Sequence, residues 1–258
     1  MNRASRLNAI LELLGEQGEV GVDELVERFG ASAATTRRDL DSLAERRLLT
    51  RTHGGAVAQS VAYELPIRYK SHLRTDEKER IAAAASALVT PGSVVGLSGG
   101  TTTTAIAAAL AARDDLGDHG LTVVTNAVNI GAQLAMRPEI KVVVTGGVIR
   151  SRSYELVGPF VEQLLEGLWL DISFIGINGL SPDGVATTHD EAEADVNRIM
   201  AERSRRAAIV ADSSKIGVQT FAAVGDAELF ATIITDAGVP ESARADLEAL
   251  GYEVRIAD

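Results

Sequence analysis

Apolar residues follow two different periods along the chain, one in the N-terminal quarter and another from about residue 94 onward. In the N-terminal quarter they recur at helical spacing, which predicts one amphipathic helix ending near Gly15 and a second over Val22–Phe29 that is closed by Gly30. A third helix is expected to begin after Ser32. Because only the three residues 30–32 join the second helix to the third, the pattern predicts a helix-turn-helix.

The third helix has a buried face and a basic outer face. Ser32 is a favourable N-cap, because its hydroxyl can accept hydrogen bonds from amides of the first turn. Helical spacing places Thr36, Leu40 and Leu43 on one face. The residues expected to point outward are Thr35, Arg37, Arg38 and Ser42. Two guanidinium groups near an exposed helix N-terminus suit phosphate contact and a bidentate grip on guanine, although a solvated basic stripe is the alternative for an arginine pair alone.

Residues 48–56, LLTRTHGGA, follow this helix and predict a strand, a glycine-permitted turn and a second strand. We interpret this hairpin as a β-wing beside the helix-turn-helix. Arg51 and His53 would then lie on the wing, near a phosphate or the minor groove. His53 is equally well explained as a side chain that stabilises the turn.

From Val94 onward, short β-rich runs alternate with alanine-rich helices. The predicted strands are Val94–Leu97, Leu121–Thr125, Lys141–Thr145, Ile172–Ile177, Ala208–Ala211, Thr232–Thr235 and Glu253–Ile256. The predicted helices are Thr104–Ala112, Ala127–Met136, Pro159–Leu168, Glu191–Ser204 and Glu241–Leu250. Thr75 is expected to cap a further helix that begins at Asp76. This alternation predicts an α/β fold with a mainly parallel, doubly wound sheet, whose binding sites form at the carboxyl ends of the strands.

The loop after the first of these strands has the composition of an anion cradle. Ser98, Gly99 and Gly100 precede four consecutive threonines that lead into a helix. Glycines let the backbone approach a ligand closely, hydroxyls donate hydrogen bonds, and the helix start adds amides with partial positive charge. The loop lacks the lysine of a P-loop and is no GxGxxG fingerprint. A capped tight turn is the alternative explanation.

Small and polar residues also follow four other predicted strands. These residues are Thr125 and Asn126, Gly146 and Gly147, Asn178 and Gly179, and Asp212 to Lys215. Together with the loop after the first strand, this composition occurs at five strand ends and indicates a shared site. Lys215 could supply the countercharge for a phosphate, and Asp212 or Asn126 could bind sugar hydroxyls. Taken singly, Asp212 and Asn126 could be caps, and Lys215 a surface lysine.

Composition adds limits of another kind. The 258 residues contain no cysteine, which excludes disulfides, thiol catalysis and cysteine-based zinc sites. The four histidines are scattered without metal-ligand spacing, so we expect neither a structural metal nor a cofactor. The chain has no membrane-length apolar run and no signal-peptide pattern, and we expect it in the cytoplasm.

The net charge of −11 argues at first sight against a DNA-binding protein. Residues 1–58 hold 8 Lys/Arg and 9 Asp/Glu, so the remaining −10 belongs to the chain downstream. Any DNA-binding charge is therefore local. We expect strong salt sensitivity, and an affinity that needs two reading helices at once, hence a homodimer or homotetramer.

The motifs resemble those of DeoR-type bacterial transcriptional regulators. The run TTRRDLDSLAERRLLTRTHGGAV is similar to the DNA-binding segment of that family, in which an isoleucine usually stands where this chain has Thr36. Further similarities are the G-G-T-T loop, the T-N pair at Thr125, the G-G pair at Gly146, Gly158, the run from Gly176 to Gly184, and D-S-S-K at Asp212. The resemblance covers nearly the whole chain. It implies a sensor domain similar in fold to ribose-5-phosphate isomerase, glucosamine-6-phosphate deaminase and CoA-transferase domains.

The resemblance implies a division into a winged helix-turn-helix domain at 1–58, a linker at 59–75, and an effector and oligomerisation domain at 76–258. The residues expected to contact operator DNA are Ser32, Thr35, Arg37, Arg38, Arg51 and His53. The residues expected to bind the effector are Ser98, Gly99, Gly100, Thr101, Thr102, Thr103, Thr125, Asn126, Gly146, Gly147, Asn178, Asp212 and Lys215. Arg150 and Arg152 either gate this pocket or are solvated loop arginines.

Two functions fit the resemblance. The first is a regulator, most often a repressor of carbohydrate-metabolism genes, whose affinity for double-stranded operator DNA changes when it binds a phosphorylated sugar or related metabolite. The second is a sugar-phosphate isomerase or deaminase with an appended DNA-binding domain. Catalysis would need a positioned acid/base pair, and the only candidate is the cluster around His189, Asp190 and Glu191. Acids immediately before a helix are also favoured by its dipole, so we expect no enzyme.

Overall fold

The computed structural model describes residues 1–46, 48–57, 67–70 and 73–258. The chain forms two compact units, Met1–Leu73 and Arg74–Asp258. Most of the linker expected at 59–75 lies outside the described residues, so that division stays a prediction. Among the described helices, none is long and apolar enough to cross a membrane.

The first unit is a winged helix-turn-helix with one strand more than the sequence predicted. Its helices and strands are α1 (Arg3–Gln17), β1 (Glu19–Gly21), α2 (Val22–Phe29), α3 (Ala33–Glu45), β2 (Thr50–Arg51), β3 (Gly55–Val57) and the short α4 (Ile67–Lys70). The first helix runs past Gly15 and ends at Gly18, which takes the left-handed conformation. The added strand β1 pairs antiparallel with β3, and β3 pairs with β2, which makes the wing three-stranded.

The apolar core of this unit explains why α3 presents its arginines outward. Leu40 and Leu43 are fully buried against side chains of α1 and α2, such as Ile10 and Leu25. Thr36 is also buried, as its place on the inner face predicted. The family's isoleucine position is therefore a packing position in this chain.

The second unit contains a seven-stranded parallel sheet, which confirms the predicted fold class. Its strands are β4 (Val94–Leu97), β5 (Leu121–Thr125), β6 (Ile140–Val144), β9 (Ile172–Gly176), β12 (Ala207–Val210), β14 (Thr232–Asp236) and β15 (Glu253–Ala257). Their spatial order is β15, β14, β12, β9, β4, β5, β6, and every neighbouring pair is parallel. The five strands whose ends carry the expected site residues are therefore consecutive in space.

Helices cover both faces of this sheet. They are α5 (Thr75–Ser86), α6 (Thr101–Ala111), α7 (Val128–Leu134), α8 (Pro159–Glu166), α9 (Glu191–Glu202) and α10 (Glu241–Ala249). Side chains of α5, α6 and α7 share one core with Phe174, whereas side chains of α8, α9 and α10 share the other with Ile175. Adjacent residues of one strand thus enter opposite cores, which is why these strands are apolar at nearly every position.

Two smaller antiparallel elements were not predicted from the sequence. A hairpin pairs β7 (Val148–Ile149) with β8 (Leu156–Val157), and we call residues 148–157 the hairpin from here on. A three-stranded sheet is formed by β10 (Gly179–Leu180), β11 (Ala186–Thr188) and β13 (Ala222–Gly225). The prediction that Thr75 caps α5 was wrong, since Thr75 is the first residue of that helix and Arg74 precedes it with a left-handed φ of 50°.

The carboxylate of Asp236, at the end of β14, holds the loop that follows β12. It accepts hydrogen bonds from the amide of Ser213 at 2.7 Å, the hydroxyl of Ser213 at 2.9 Å and the amide of Gly238 at 2.8 Å. Burial opposes ionisation of Asp236, but these hydrogen bonds outweigh it, and its pKa lies below the ordinary value. An ionised side chain therefore fixes the start of the Asp212–Lys215 loop to the sheet.

We expect Asp236→Asn to reduce the free energy of unfolding at neutral pH by about 1–3 kcal/mol, because three donors lose a charged acceptor. A carboxyl with a lowered folded pKa stabilises the protein above its unfolded pKa of about 3.9, and this contribution disappears as the pH falls through the folded pKa. When urea unfolding is measured across pH, the gap in the free energy of unfolding between wild type and variant should be largest at neutral pH and should become smaller in acid. The exposed Asp118, changed to Asn, is the control. A gap that stayed constant into acid would contradict this account.

Candidate functional site

The loop between β4 and α6 depends on two glycines and a buried serine. The hydroxyl of Ser98 accepts a hydrogen bond from the amide of Gly176 at 2.9 Å and donates to the carbonyl of Gly99 at 3.2 Å. Gly100 has a φ of 128°, a conformation that side chains rarely adopt. Ser98 therefore ties the end of β4 to its neighbour β9, and Gly100 then turns the chain into α6.

The first turn of α6 leaves amides available for a ligand. The helix begins at Thr101, three residues before the predicted start, so the amides of Thr101, Thr102 and Thr103 belong to its unpaired first turn. The hydroxyls of Thr103 and Thr104 donate to the carbonyl of Gly100, at 3.0 and 2.6 Å. The N-cap residue is Gly100, which has no side chain to cap these amides. Their partial positive charge suits an anion.

The end of β5 adds a buried amide side chain with an unused acceptor. The Nδ2 of Asn126 donates to the Glu155 carboxylate at 3.1 Å and to the carbonyl of Leu156 at 3.3 Å. Both partners are acceptors, so the orientation of the amide is determined by its contacts. Its Oδ1 is buried and has no hydrogen-bond partner among the described residues. Asn126 therefore does not cap the helix that follows, and Thr125 instead accepts from the amide of Ala127 at 3.0 Å.

Glu155, in the hairpin, was missed by the sequence reasoning. It is buried, and a Cβ built on Gly99 would lie 2.1 Å from its Cγ and 2.4 Å from its Oε1. The carboxylate of Glu155 therefore lies directly against the glycine loop, beside Asn126. The rule that sites form at strand ends could not find it, because Glu155 follows no sheet strand and reaches the loop only through the fold of the hairpin.

Gly146 and Gly147 follow β6 and lead into the hairpin. A Cβ on Gly147 would lie 2.7 Å from the carbonyl oxygen of Val157 and 2.7 Å from a methyl group of Val161, and the φ of Gly147 is 125°. Gly146 has room for a side chain, since its nearest neighbour would be the Cβ of Phe160 at 3.9 Å. Gly147 is therefore explained by the close approach of β8, whereas Gly146 has no steric explanation.

Acidic residues at the start of α9 bind the hairpin. Arg150 forms ion pairs with Asp190 and with Glu193, the latter at 3.5 Å, and the hydroxyl of Ser153 donates to Glu193 at 2.6 Å. The carboxylate of Asp190 also caps the helix by accepting from the amides of Ala192 and Glu193, at 3.1 and 3.2 Å. Arg150 is thus a bound arginine in this structure, and Asp190 has the role of a helix cap.

The remaining strand ends are held by local hydrogen bonds. The Oδ1 of Asn178 accepts from the amide of His189 at 3.2 Å, which joins the end of β9 to the loop before α9. Asp212 is buried and caps the 3₁₀ turn at Ser213–Lys215 by accepting from the amide of Ser214 at 3.1 Å. This is the capping role that was the alternative prediction for Asp212. Arg74 lies 3.7 Å from Asp212. Lys215 is partly buried in the same turn.

In the first unit, the predicted DNA-contacting residues of α3 are exposed or half-buried. Ser32 caps the helix by accepting from the amide of Thr35 at 3.2 Å, and the two hydroxyls lie 2.9 Å apart. Arg37 and Arg38 are exposed, and neither forms an ion pair with any described residue. The helix therefore presents two uncompensated guanidinium groups within two turns of its N-terminus.

Asp39, beside these arginines, points inward. It is 2% exposed and accepts from the Nε of Arg6 at 2.7 Å and the Nε of Arg3 at 3.4 Å. This carboxylate holds α3 against α1 and is not available to neutralise Arg38. Its position three residues after Thr36, on the border of the buried face, was the signal that sequence reasoning could have used.

The wing residues have different surroundings. The Nε of Arg51 donates to Asp41 at 2.9 Å, and its guanidinium also donates to the carbonyl of Gly55. Arg51 therefore connects the wing to α3, while His53 is exposed at the turn. In the described parts of the chain, no group of three His, Cys, Asp or Glu residues could hold a metal ion.

Comparison with known proteins covers both units. Residues 6–61 match the family model described as the DeoR-like helix-turn-helix domain, and residues 73–237 match the DeoR C terminal sensor domain. The chain is 35% identical over 242 residues to the glycerol-3-phosphate regulon repressor of Escherichia coli K12, covering 94% of each chain. It is 34% identical over 252 residues to the HTH-type transcriptional regulator GlpR of Haloferax volcanii, covering 97% of this chain and 96% of the relative.

Solved structures are more distant. The full-length sorbitol operon regulator SorC of Klebsiella pneumoniae has a TM-score of 0.42 and 13% identity, covering 96% of this chain and 99% of that one. Ribose 5-phosphate isomerase A of Methanocaldococcus jannaschii has a TM-score of 0.41 and 20% identity, covering 55% and 54%. The two family models match residues in both units, and the two relatives cover 94% and 97% of this chain. The chain belongs to the DeoR family of transcriptional regulators.

Proposed function

We propose that the protein represses carbohydrate-metabolism genes by binding operator DNA, and that a phosphorylated sugar or related metabolite bound at the strand ends changes this affinity. The observation that carries the proposal is the unpaired first turn of α6 behind Gly99 and Gly100, at the centre of five adjacent strand ends. This arrangement suits a phosphate group. The relatives named above include a repressor of a glycerol-3-phosphate regulon, which accords with a phosphorylated effector.

The residues beside the glycine loop suit the hydroxyl groups of such a ligand. The unused acceptor of Asn126 needs a donor, and the neighbouring carboxylate of Glu155 also accepts hydrogen bonds. A sugar or polyol brings hydroxyl donors, whereas inorganic phosphate alone would meet the negative charge of Glu155 without them. In the proposed complex the phosphate binds the amides of Thr101–Thr103 in the loop that Ser98 positions, with Lys215 as countercharge, and the hydroxyls face Asn126, Asn178 and Asp212.

We propose that DNA binding rests on α3 and the wing. We propose that Arg37 and Arg38 enter the major groove, with Ser32 and Thr35 near the phosphates at the helix start. Arg51 would act by fixing the wing and His53 by approaching the backbone. One reading helix on an acidic chain binds weakly, so we propose a homodimer or homotetramer that reads two half-sites in the cytoplasm.

The contacts of Asp190 and the exposure of Glu191 do not support the alternative of a sugar-phosphate isomerase. Asp190 is engaged as a helix cap and in its ion pair with Arg150, and Glu191 is exposed on the first turn of α9. The named relatives are transcriptional regulators. We therefore propose a sensor without turnover, which uses no cofactor.

Thermal shift with a panel of sugar and polyol phosphates, including glycerol 3-phosphate, tests the effector proposal. A ligand at about 100 times its Kd stabilises the protein by about 2.7 kcal/mol, so one member of the panel should raise the Tm and also change operator affinity. Coupling of about 1–3 kcal/mol corresponds to a change in operator affinity of about 5- to 150-fold. Steady conversion of the same ligand would favour the isomerase instead.

Two substitutions should separate the two sites. We expect Arg38→Ala to weaken operator binding by about 1–3 kcal/mol and leave the ligand-induced Tm shift intact, because it removes a base or phosphate contact. Lys215→Ala should do the reverse, because it removes the countercharge. Gel-shift titrations and thermal shift measure the two activities. Arg28→Ala, on the exposed face of α2, is the control for Arg38. Equal loss of both activities in both variants would refute the division.

Gly99→Ala tests the glycine loop directly. Its Cβ would collide with Glu155 at 2.1 Å, so the carboxylate must move and the cradle must change shape. We expect the apparent affinity for the ligand, measured from the dependence of Tm on ligand concentration, to fall at least about tenfold, which is about 1.4 kcal/mol. Operator binding should persist. Gly167→Ala is the matched control, because its Cβ would meet its nearest neighbour at an ordinary 3.5 Å. An unchanged response in Gly99→Ala would place the ligand elsewhere.

A further inference from the structure

Three side-chain oxygens where β5 and β6 end are buried without a hydrogen-bond partner among the described residues. They are the Oδ1 of Asn126, the Oδ1 of Asn129 in the first turn of α7, and the hydroxyl of Thr145, directly after β6. The other such oxygens in the described chain are spread over β9, α9, β14 and the loop before β13. An unpaired buried polar atom destabilises a folded protein, so three of them at one place need an explanation.

The orientation of the Asn129 amide follows from the contacts of Thr104 in α6. The hydroxyl of Thr104 donates to the carbonyl of Gly100 at 2.6 Å, and a carbonyl cannot donate in return. Because this uses the only hydrogen of the hydroxyl, Thr104 must accept from the Nδ2 of Asn129, which lies 2.9 Å away. Asn129 therefore holds the glycine loop through Thr104, and its Oδ1 is the atom that remains without a partner.

Thr145 lies beside Asn126 and on the same face of the sheet. The amide of Thr145 donates to the carbonyl of Thr125 at 3.0 Å, which continues the pairing of β6 with β5. Two residues earlier in each strand, Val124 and Val143 both pack in the core that contains α8 and α9. Since side chains alternate along a strand, Asn126 and Thr145 point to that same face, about 4.8 Å apart in the strand spacing. One ligand group can therefore contact both.

The surroundings of these oxygens leave space for an approaching ligand. Gly146, which follows Thr145, is exposed, and a Cβ built there would have the Cβ of Phe160 as its nearest neighbour, at 3.9 Å. Asn129 and Thr104 are both partly exposed at the starts of their helices. This absence of crowding gives Gly146, which had no steric explanation, a place in the site.

The two sides of the glycine loop differ in how far the protein satisfies its own polar groups. On the side of β9 and β12, Asn178 already accepts from the amide of His189, and Asp212 from the amide of Ser214. On the side of β5 and β6, three oxygens have no described partner. The demand for hydrogen bonds from a ligand is therefore greatest on the side of β5 and β6.

We propose, building on the proposed effector site, that Asn126, Asn129 and Thr145 bind hydroxyl groups of the effector, which is a phosphate ester of a sugar or polyol and not a phosphorylated carboxylic acid. A ligand hydroxyl can donate to the Oδ1 of Asn126 while it accepts from the hydroxyl of Thr145. An ionised carboxylate only accepts hydrogen bonds, so it would leave both amide oxygens without a donor and would be repelled by the nearby Glu155.

Thermal shift of the full chain with defined probes tests the proposal. The polyol probes are glycerol 3-phosphate, glucose 6-phosphate and fructose 6-phosphate. The comparison probes are propyl phosphate, which has no hydroxyl, and 3-phosphoglycerate, which has a carboxylate. In wild type, at least one polyol probe should bind more tightly than both comparison probes, as measured from the dependence of Tm on probe concentration.

Thr145→Val removes the hydroxyl and keeps the shape of the side chain. We expect the apparent affinity for the best polyol probe to fall about tenfold, which is about 1.4 kcal/mol, and the response to propyl phosphate to stay unchanged. Without ligand the Tm should be equal to or above that of wild type, because an unpaired buried hydroxyl is replaced by a methyl group. Thr145→Ser restores the hydroxyl and should recover the response.

Asn129→Ala should cause a similar loss, because it removes both the acceptor and the support of Thr104. Gln133→Ala is the matched control, since Gln133 is also half-buried and lies one turn later in α7, and it should bind the polyol probe as wild type does.

The outcomes separate this inference from the proposed function. If no polyol probe raises the Tm of wild type, the proposed function fails and the inference fails with it. If a polyol probe binds wild type, but Thr145→Val or Asn129→Ala keeps the wild-type affinity, the inference fails and the proposed function stands. The same holds if 3-phosphoglycerate binds more tightly than the polyol probes. A lower Tm of Thr145→Val without ligand would also overturn it, because the hydroxyl would then already serve the stability of the protein.

Discussion

The hydrogen-bonding register of the parallel sheet is the constraint on which the sensor unit depends. Leu97 of β4 is level with Thr125 of β5 and Phe174 of β9, and Thr125 is level with Val144 of β6. Because all of these strands run in the same direction, their carboxyl ends meet at one edge of the sheet. The glycine loop after β4 lies near the middle of this edge, so side chains from both neighbours can approach it.

The proposed site combines donors and acceptors in separate regions. The first turn of α6 presents amides and threonine hydroxyls, whereas Glu155 and the Oδ1 of Asn126 present acceptors. A simple anion would satisfy the donors and be repelled by the carboxylate. A molecule with a phosphate at one end and hydroxyl groups at the other would satisfy both regions, which is the physical basis for the proposed class of ligand.

A similar separation of charge organises the first unit. Asp39 is turned inward onto Arg6 and Arg3, and this ion pair holds α3 against α1. The adjacent Arg38 remains exposed and without an ion-pair partner among the described residues. The acid in the R-R-D-L sequence therefore stabilises the unit, while the two arginines of that sequence stay exposed. In the same unit, Arg51 serves the packing of the wing. The sequence had predicted only a DNA contact for Arg51.

The sequence by itself determined the secondary structure of the long elements, the parallel class of the sheet and the family. Strands such as Val94–Leu97 and Leu121–Thr125 were found at their observed bounds, because burial on both faces leaves a continuous apolar run. Only the tertiary structure decided the short strand β1, the hairpin and the place of Glu155. Strands of two or three residues carry too little periodicity to be seen, and β1 pairs with β3, which lies beyond α2 and α3 in the chain. The contact of Glu155 with Gly99 likewise exists only because the hairpin folds back onto the loops that follow β4 and β5, a geometry that no local pattern of residues encodes.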